Sequence, residues 1–333
     1  MKVKYIPFQP HCFAFGGFDM QMINTLAAVK HAGVDAGKLD VWSRDNDFDI
    51  LHLWGIGQPN YETIDWAKKA GKAIVATVLI PYHDTAISKA GYYYRRYLSG
   101  AGKQMIHYFK LIDKVIVVNE QQKKVLANYY KVDDNKIATI PNLVEEKYFE
   151  TPSFDFSKKY DVKDYVLCTG NISPRKNQYN LALACINLNV QLVLIGNTLD
   201  GEMSYGKKIK VLAATHQNIV WIKELPKASD ELVGAYHDCA VYALPSKEET
   251  QPISALEAVA MQKPLVLMDR MYARQSFYKG AVLCKSLLVK DIELALTAAR
   301  DNKTIATQNL EIRNCRSESV GEQYKNCYLG LIK

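Results

Sequence analysis

Two tandem doubly wound parallel-sheet domains of the α/β class are what this sequence predicts, on three observations. Short apolar runs alternate with longer amphipathic stretches, the order that builds a parallel sheet with helices on both faces. The alternation breaks once, over residues 146–164, and then restarts. The length of 333 residues exceeds what one core usually serves and suits two domains of roughly 150 residues.

Val3–Phe8 predicts a strand, and Phe18–His31 a helix with Met22, Ile23, Leu26 and Val29 near helical spacing. A strand over Asp49–Trp54, a helix over Tyr61–Ala70 and a strand over Ala73–Ile80 follow. Lys114–Val118 reads as a strand, Glu120–Tyr130 as a helix and Lys136–Ile140 as the strand that closes a first domain, residues 1–145. Residues 146–164 are charged, aromatic and aperiodic, contain Pro152, and read as a linker. In a second domain, residues 165–316, strands are expected at Tyr165–Thr169, Gln191–Ile195, Ile219–Ile222, Cys239–Ala243 and Pro264–Met268. Helices are expected near Gln178–Leu188, Lys207–Thr215, Ser229–His237 and Ser254–Met261. A last helix within residues 317–333 carries Val320, Tyr324, Cys327, Tyr328 and Leu331. Ligands bind open α/β sheets at the carboxyl ends of the strands, so two such domains suit a two-domain enzyme or a hinged binding protein.

Apolar residues at 48% and charged residues at 23% exclude disorder, collagen and coiled coil. No run approaches the roughly 20 apolar residues of a spanning helix. The basic start Met1–Pro7 has no apolar stretch after it, so no signal peptide and a cytoplasmic location are expected. Seven cysteines, an odd number with no C-x-x-C pair, read as buried small hydrophobes rather than disulfides or metal ligands.

The block Leu244–Pro264 carries the strongest chemistry. A strand ends at Pro245-Ser246, a polar turn follows, and a helix is expected to start near Ser254 as its N-cap. Glu249 stands in the loop and Glu257, eight residues on, in the expected first turn. Uncapped N–H groups of such a helix start hold anions such as a diphosphate, and a carboxylate there accepts from vicinal ribose hydroxyls. Dipole compensation by an acidic first turn would give the same pattern. A second block, Thr169-Gly170-Asn171-Ile172-Ser173-Pro174-Arg175-Lys176-Asn177-Gln178, follows a strand and opens a helix. Its cations suit a diphosphate, and a solvated turn with ordinary basic residues would read alike.

The first block resembles the Glu-x7-Glu signature of the retaining glycosyltransferases of family 4, bacterial-type group 1 enzymes of glycan and lipopolysaccharide synthesis. Pro245, Ser246, Glu249, Glu257, Ala258, Ala260 and Pro264 match in register. Thr250-Gln251-Pro252 replace the family's Gly-Phe-Gly, and Gln262 its second Gly. The second block resembles the family's G-R-x-x-x-x-K-G element, with Lys176 matching the Lys, Asn171 replacing the Arg and Asn177 the Gly. Gly16-Gly17 resemble the family's Gly-Gly loop beside the reacting sugar. Phe48–His52, Ile140–Val144, and the helix with Asp230, Glu231, Leu232 and Tyr236 resemble further elements in the expected order. The likeness covers most of residues 165–333 and is patchy over residues 1–145.

The resemblance implies the GT-B fold, two Rossmann-like domains facing across a cleft, with the last helix packing back on the first. It implies transfer of a sugar from a nucleoside-diphosphate sugar, UDP ahead of GDP, to a glycan or lipid-linked acceptor in surface polysaccharide synthesis. Lys176 and Arg175 would stabilise the departing diphosphate, and Glu249 would orient the donor. Glu257 would hold the ribose. Gly16, Gly17, Gly170, Asn171, Thr250, Gln251, Pro252, Ile253 and Ser254 would line the donor site. The family's acceptor-site His has its counterpart in His83, four residues late, either filling that role from a longer loop or standing as a surface histidine. His52, at an apolar strand end, reads as a core histidine. Asp45-Asn46-Asp47 matches the D-x-D metal motif of a different glycosyltransferase fold, but precedes a strand and reads as a turn, so no metal and no cofactor are expected.

Residues 88–131 hold nine Lys or Arg and two Asp or Glu, 9 − 2 = +7, which is the whole net charge of +7. They include Tyr92, Tyr93, Tyr94, Arg95 and Arg96, and Lys89, Arg96, Lys103 and Lys110 recur every seven residues. A continuous helix would gather these cations near one face, with Gly100 and Gly102 as candidate breaks. Tyrosines and cations together suit an anionic membrane surface; with the family resemblance this implies peripheral contact on the acceptor side, at the inner face of the plasma membrane. A solvated helix whose tyrosines cover the core is the alternative. No nucleic-acid motif accompanies the patch. Two other functions stay open: a different GT-B enzyme such as an epimerase or phosphorylase, and a non-catalytic nucleotide-sugar-binding subunit.

Overall fold

The computed structural model describes residues 1–13, 16–80, 86–302 and 310–332. The chain divides into two compact units, Met1–Leu143 with Asn314–Lys333, and Val144–Arg313.

The first unit runs β1 (Lys2–Pro7), α1 (Gly17–His31), β2 (Asp35–Lys38), β3 (Ile50–Trp54), α2 (Tyr61–Lys69) and β4 (Ala73–Thr77). It continues with α3 (Ala86–Tyr97), α4 (Gly100–Leu111), β5 (Lys114–Val117), α5 (Glu120–Val125) and β6 (Ile137–Thr139). The strands form one parallel sheet in the order β2-β1-β3-β4-β5-β6. Successive side chains of a strand face opposite ways, so Leu51 and Leu53 enter one apolar cluster while Ile50 and Trp54 enter the other. Chain order reverses beside β1, between β1 and β3, and Gly16–Gly17 lead from that edge into α1.

Three elements here are additional to those expected. β2 is a short edge strand, Asp-Ala-Gly-Lys, with too little apolar content to signal itself. The basic tyrosine-rich segment forms α3 and α4 rather than one continuous helix. Ser99 caps α4, its Oγ accepting from the Gly102 N–H at 3.3 Å. The seven-residue recurrence of Lys89, Arg96, Lys103 and Lys110 is therefore split between two helices. The helix expected over Glu120–Tyr130 keeps α-geometry to Val125 and widens into a π-helical turn, Leu126–Tyr130, which Lys131 ends at φ 58°.

The second unit runs α6 (Phe156–Tyr160), β7 (Val166–Thr169), α7 (Gln178–Asn187), β8 (Leu192–Ile195), α8 (Met203–Thr215) and β9 (Ile219–Ile222). Then come α9 (Asp230–Asp238), β10 (Val241–Leu244), α10 (Ile253–Ala260), β11 (Leu265–Met268), β12 (Val282–Cys284) and α11 (Val289–Asn302). The sheet is again parallel, in the order β12-β11-β10-β7-β8-β9. Its central strands are near-continuous apolar runs because both faces are covered. Here the order reverses between β7 and β10.

Residues 146–164 do not behave as a free linker. Tyr148 and Phe156 are fully buried, and the Phe154 carbonyl lies so close to α9 that a Cβ on Gly234 would meet it at 2.8 Å. The Ser157 N–H donates to Asp238 and the Tyr160 hydroxyl to Glu231. The segment's charges are anchors onto α9, and its aromatics are core.

The last helix, α12 (Ser317–Leu329), belongs to the first unit and crosses α1 closely, where a Cβ on Gly321 would stand 2.5 Å from the Ala28 carbonyl oxygen. Its Tyr328 hydroxyl meets His52 Nδ1 at 2.7 Å, while His52 Nε2 meets Thr77 Oγ1 at 2.9 Å. Tyr5 and Tyr324 complete this buried network. Burial pushes the His52 imidazole down to about 3, so it is neutral and bonded at both nitrogens. A depressed histidine loses stability as pH falls, because the unfolded chain takes up the proton first. Tyr328→Phe orphans one ring nitrogen of His52 and is expected to cost about 1–3 kcal/mol in urea unfolding at pH 7. An unchanged midpoint would show that the network does not hold α12.

Candidate functional site

The β7 and β10 loops flank the reversal of strand order in the second unit, where a ligand is expected on topology alone. From β7 the chain turns at Gly170, with φ 115°, a conformation open to glycine. A Cβ there would stand 3.1 Å from Lys176 Cε, so the bare glycine lets Lys176 fold back over the turn. Gly196, at the end of β8, is tighter still, since a Cβ would meet the Gly170 carbonyl oxygen at 2.2 Å.

Lys176 is buried, and its Nζ donates to Glu249 Oε1 at 3.1 Å. Arg175 Nη1 donates to the same oxygen at 2.8 Å and to the Glu248 carbonyl, and Ser246 Oγ donates at 2.9 Å. The Lys247 N–H donates to the Arg175 carbonyl, pinning one loop to the other. Burial alone would raise the Glu249 carboxyl, but Lys176, Arg175 and Ser246 hold it below the usual glutamate range. The Lys176–Glu249, Arg175–Glu249, Arg175–Glu248 and Lys247–Arg175 contacts therefore knit two loops that are about 70 residues apart in sequence (73 for the Lys176–Glu249 pair).

Glu257 stands differently from its expected place. α10 starts at Ile253 with Pro252 as N-cap, so Ser254 does not cap it, and its first turn holds no acidic residue. Compensation of the helix dipole by a first-turn carboxylate is thereby ruled out as the reason for Glu257, which sits in the second turn. Its Oε2 accepts from the Tyr236 hydroxyl at 2.7 Å. Tyr236 in turn meets Thr169 Oγ1 at 2.6 Å. Burial pushes the Glu257 carboxyl up, opposite to Glu249.

The departures from the family pattern have local physical explanations. Thr250, Gln251 and Pro252 include no residue of positive φ, so that loop needs no glycine for its backbone. Neighbours brace it instead: Gln275 Nε2 donates to the Thr250 carbonyl at 2.7 Å, Gln251 Nε2 to Gln275 Oε1, and the Tyr278 hydroxyl to the Pro252 carbonyl. Asn177 and Gln262, which replace family glycines, are left-handed, with φ of 59° and 56°. Asparagine tolerates that region, and Gln262 takes the left-handed position that follows α10.

The structure thus joins Arg175, Lys176 and Glu249 directly, and links Glu257 through Tyr236 to the strand end that precedes Gly170 and Asn171. Gly16 and Gly17 lie in the first unit at the start of α1, where Asp19 accepts from the Gly16 N–H. Neither has positive φ, and a Cβ on Gly17 would meet nothing within 4 Å, so the protein's own packing does not require glycine there. His83 lies outside the described residues, as do the side chains of Arg95 and Arg96. Tyr92 is a correction. It is buried, its ring packed at a tilt against Tyr129 with centroids 4.8 Å apart, and is not part of a surface. Tyr93, Tyr94 and Lys103 are exposed. Asp45–Asp47 form turns among themselves, the Asp47 N–H donating to Asp45. Among the described residues no cluster of three or more His, Cys, Asp or Glu could hold a metal ion, and no helix is long and apolar enough to cross a membrane. Sequence reasoning missed Gly196, Gln275 and Tyr278 as parts of the site, since only tertiary contact identifies them, and it gave Thr169, the first residue of the second block, no role of its own.

Residues 149–311 match the family model for glycosyl transferases group 1, and residues 24–148 that for glycosyltransferase family 4. A curated relative, an uncharacterised glycosyltransferase of Methanocaldococcus jannaschii, is 23% identical over 195 residues, covering 56% of this chain and 45% of that protein. Among solved structures, Anabaena HepE in complex with UDP-glucose aligns at 15% identity and TM-score 0.74, covering 100% of both chains. A glycosyltransferase from Rickettsia africae aligns at 15% identity and TM-score 0.70, covering 98% of this chain and 96% of that one. WaaG, a glycosyltransferase of lipopolysaccharide biosynthesis, aligns at 12% identity and TM-score 0.63, covering 99% of each. At these identities the likeness is one of fold, and the fold is GT-B.

Glu257→Gln tests the reading of its carboxyl. A carboxyl raised in the folded state binds its proton more tightly there, so ionising it at neutral pH costs stability. The variant is expected to melt higher than wild type at pH 7, with the gap closing as pH falls through the glutamate range. A lower melting temperature at pH 7 would contradict this.

Proposed function

The chain belongs to the group 1, family 4 glycosyltransferases, and on that premise we propose that it moves a sugar from a nucleoside diphosphate, UDP ahead of GDP, to a hydroxyl of a glycan or lipid-linked acceptor with retention at the anomeric carbon. One observation carries the proposal: two cations converge on Glu249 beside the switch point, and Glu257 stands eight residues beyond. A departing diphosphate needs positive charge as the glycosidic bond breaks. Lys176 and Arg175 supply it from side chains already fixed by Glu249. The carboxylate keeps Oε2 outside those contacts, directed to the orientation of donor hydroxyls. The uncapped start of α10 adds backbone N–H groups for phosphate oxygens. Glu257 accepts from the ribose. HepE was solved with UDP and with UDP-glucose, which supports a UDP-sugar as donor.

A surface-polysaccharide role and an anionic membrane surface complete the proposal. Ile87, Tyr93, Tyr94, Tyr97 and Leu98 are exposed on and just after α3, and Lys103 is exposed on α4. Aromatic bodies with cations at their margin suit a lipid interface. The non-catalytic reading rests on the lost glycines and on Asn171 in place of the family's Arg; the left-handed Asn177 and Gln262 answer the first ground, and Arg175, fixed on Glu249, offers a cation against the second.

Lys176→Ala is expected to abolish transfer from UDP-sugars. It also leaves Glu249 with Arg175 as its one cation, so a loss of about 1–3 kcal/mol in stability should accompany it. Wild-type turnover should survive EDTA. An active, folded Lys176→Ala protein would break the assignment. Sedimentation with vesicles of anionic lipid at low salt tests the membrane surface: Tyr93→Ala/Tyr94→Ala should reduce the bound fraction several-fold, and a wild-type protein that stays in the supernatant would rule the surface out.

A further inference from the structure

Glu257 is a buried carboxylate with a hydroxyl chain behind it. Tyr236, on α9, is fully buried between two other rings, Tyr242 stacked at 5.5 Å and Tyr148 edge-on at 5.3 Å. Its hydroxyl lies 2.7 Å from Glu257 Oε2 and 2.6 Å from Thr169 Oγ1, and Thr169 in turn lies 3.4 Å from the Tyr242 hydroxyl. An ionised carboxylate only accepts, so Tyr236 must give its single proton to Glu257. Thr169 must then donate to Tyr236, and Tyr242 to Thr169. Every hydroxyl in the chain is oriented toward the carboxylate, and each bond polarises the next. The buried Tyr148 hydroxyl stands within electrostatic reach of the same carboxylate and makes no hydrogen bond at normal distance.

Thr169 is the last residue of β7, one step before Gly170 and the loop that carries Lys176. The chain of hydroxyls therefore ties the strand end beneath the phosphate-side cations to the carboxylate on α10. Glu257 is fixed in rotation by Tyr236 on one oxygen, which leaves the other to accept.

Building on the nucleotide-sugar reading above, we propose that Tyr236 is a positioning residue for donor recognition: its hydroxyl, itself held by Thr169, fixes the Glu257 carboxylate as the acceptor for the vicinal hydroxyls of the nucleotide ribose. Tyr236 does not touch the donor. Its contribution is confined to the ribose, and the diphosphate contacts of Lys176 and Arg175 are independent of it.

Isothermal titration of the full chain with UDP and with 2′,3′-dideoxy-UDP tests this. Wild type should prefer UDP by about tenfold or more, the usual consequence of hydrogen bonds to a charged group. Tyr236→Phe keeps the ring stack, and it should lose most of that preference by weakening UDP while leaving the dideoxy ligand unchanged. Its UDP affinity should also fall off at higher pH than wild type, because a carboxylate without its donor protonates sooner. Thr169→Val should act in the same direction more weakly, and keeps the test open if Tyr236→Phe does not fold. A folded Tyr236→Phe or Thr169→Val protein with the full wild-type preference would overturn the inference alone. A wild type that binds no UDP, GDP or ADP would overturn the nucleotide-sugar reading and this inference with it. Equal weakening of both ligands would make Tyr236 merely structural and overturn the positioning role.

Discussion

The ionised carboxylate of Glu249 depends on charges brought from another part of the chain. Burial would protonate it or unfold its surroundings, and Lys176, Arg175 and Ser246 prevent both. Because those partners come from the β7 and β10 loops, the ion cluster fixes both loops at the reversal of strand order. The close stacking of Gly170 on Gly196 and the folded-back Lys176 follow from the same requirement. Two cations on one acidic oxygen also leave positive charge in excess, which suits a site that receives a diphosphate.

Glu257 shows the opposite balance in the same unit. Its hydrogen bond comes from a hydroxyl, Tyr236, rather than from a cation, and although Lys227 acts on it electrostatically, burial leaves its carboxyl raised where that of Glu249 is lowered. Placing two carboxylates eight residues apart in contrasting environments separates their tasks. One is a fixed anion that organises basic side chains, and the other is an acceptor for neutral hydroxyls. The second is held at a cost to stability, a common exchange at binding sites.

Much of this was legible in the sequence, for identifiable reasons. Apolar runs of four or five residues marked the central strands, because strands covered on both faces leave no other pattern. Glu249, Glu257, Lys176 and Arg175 were legible because they stand in two contiguous blocks. Elements with weak apolar signal escaped, such as β2. So did residues 146–164, whose buried Tyr148 and Phe156 were hidden among charges that anchor to α9. The N-cap of α10 lies two residues earlier than the sequence suggests, because Ser254 looks like a cap while Pro252 ends the loop. Tyr92 could not be told from Tyr93 and Tyr94 by sequence, since burial of one face of α3 is decided by Tyr129 across the fold. The hydroxyl chain through Thr169 and Tyr236 spans three separate elements, and no local pattern encodes it.

Hydrogen–deuterium exchange of the wild-type chain with and without saturating UDP tests the central claim most directly, because it locates the ligand without altering a residue. The account predicts protection concentrated in residues 170–178 and 246–257, the two loops knitted by Glu249 and the first turns of the helices they open. UDP binding that protects neither segment would contradict it.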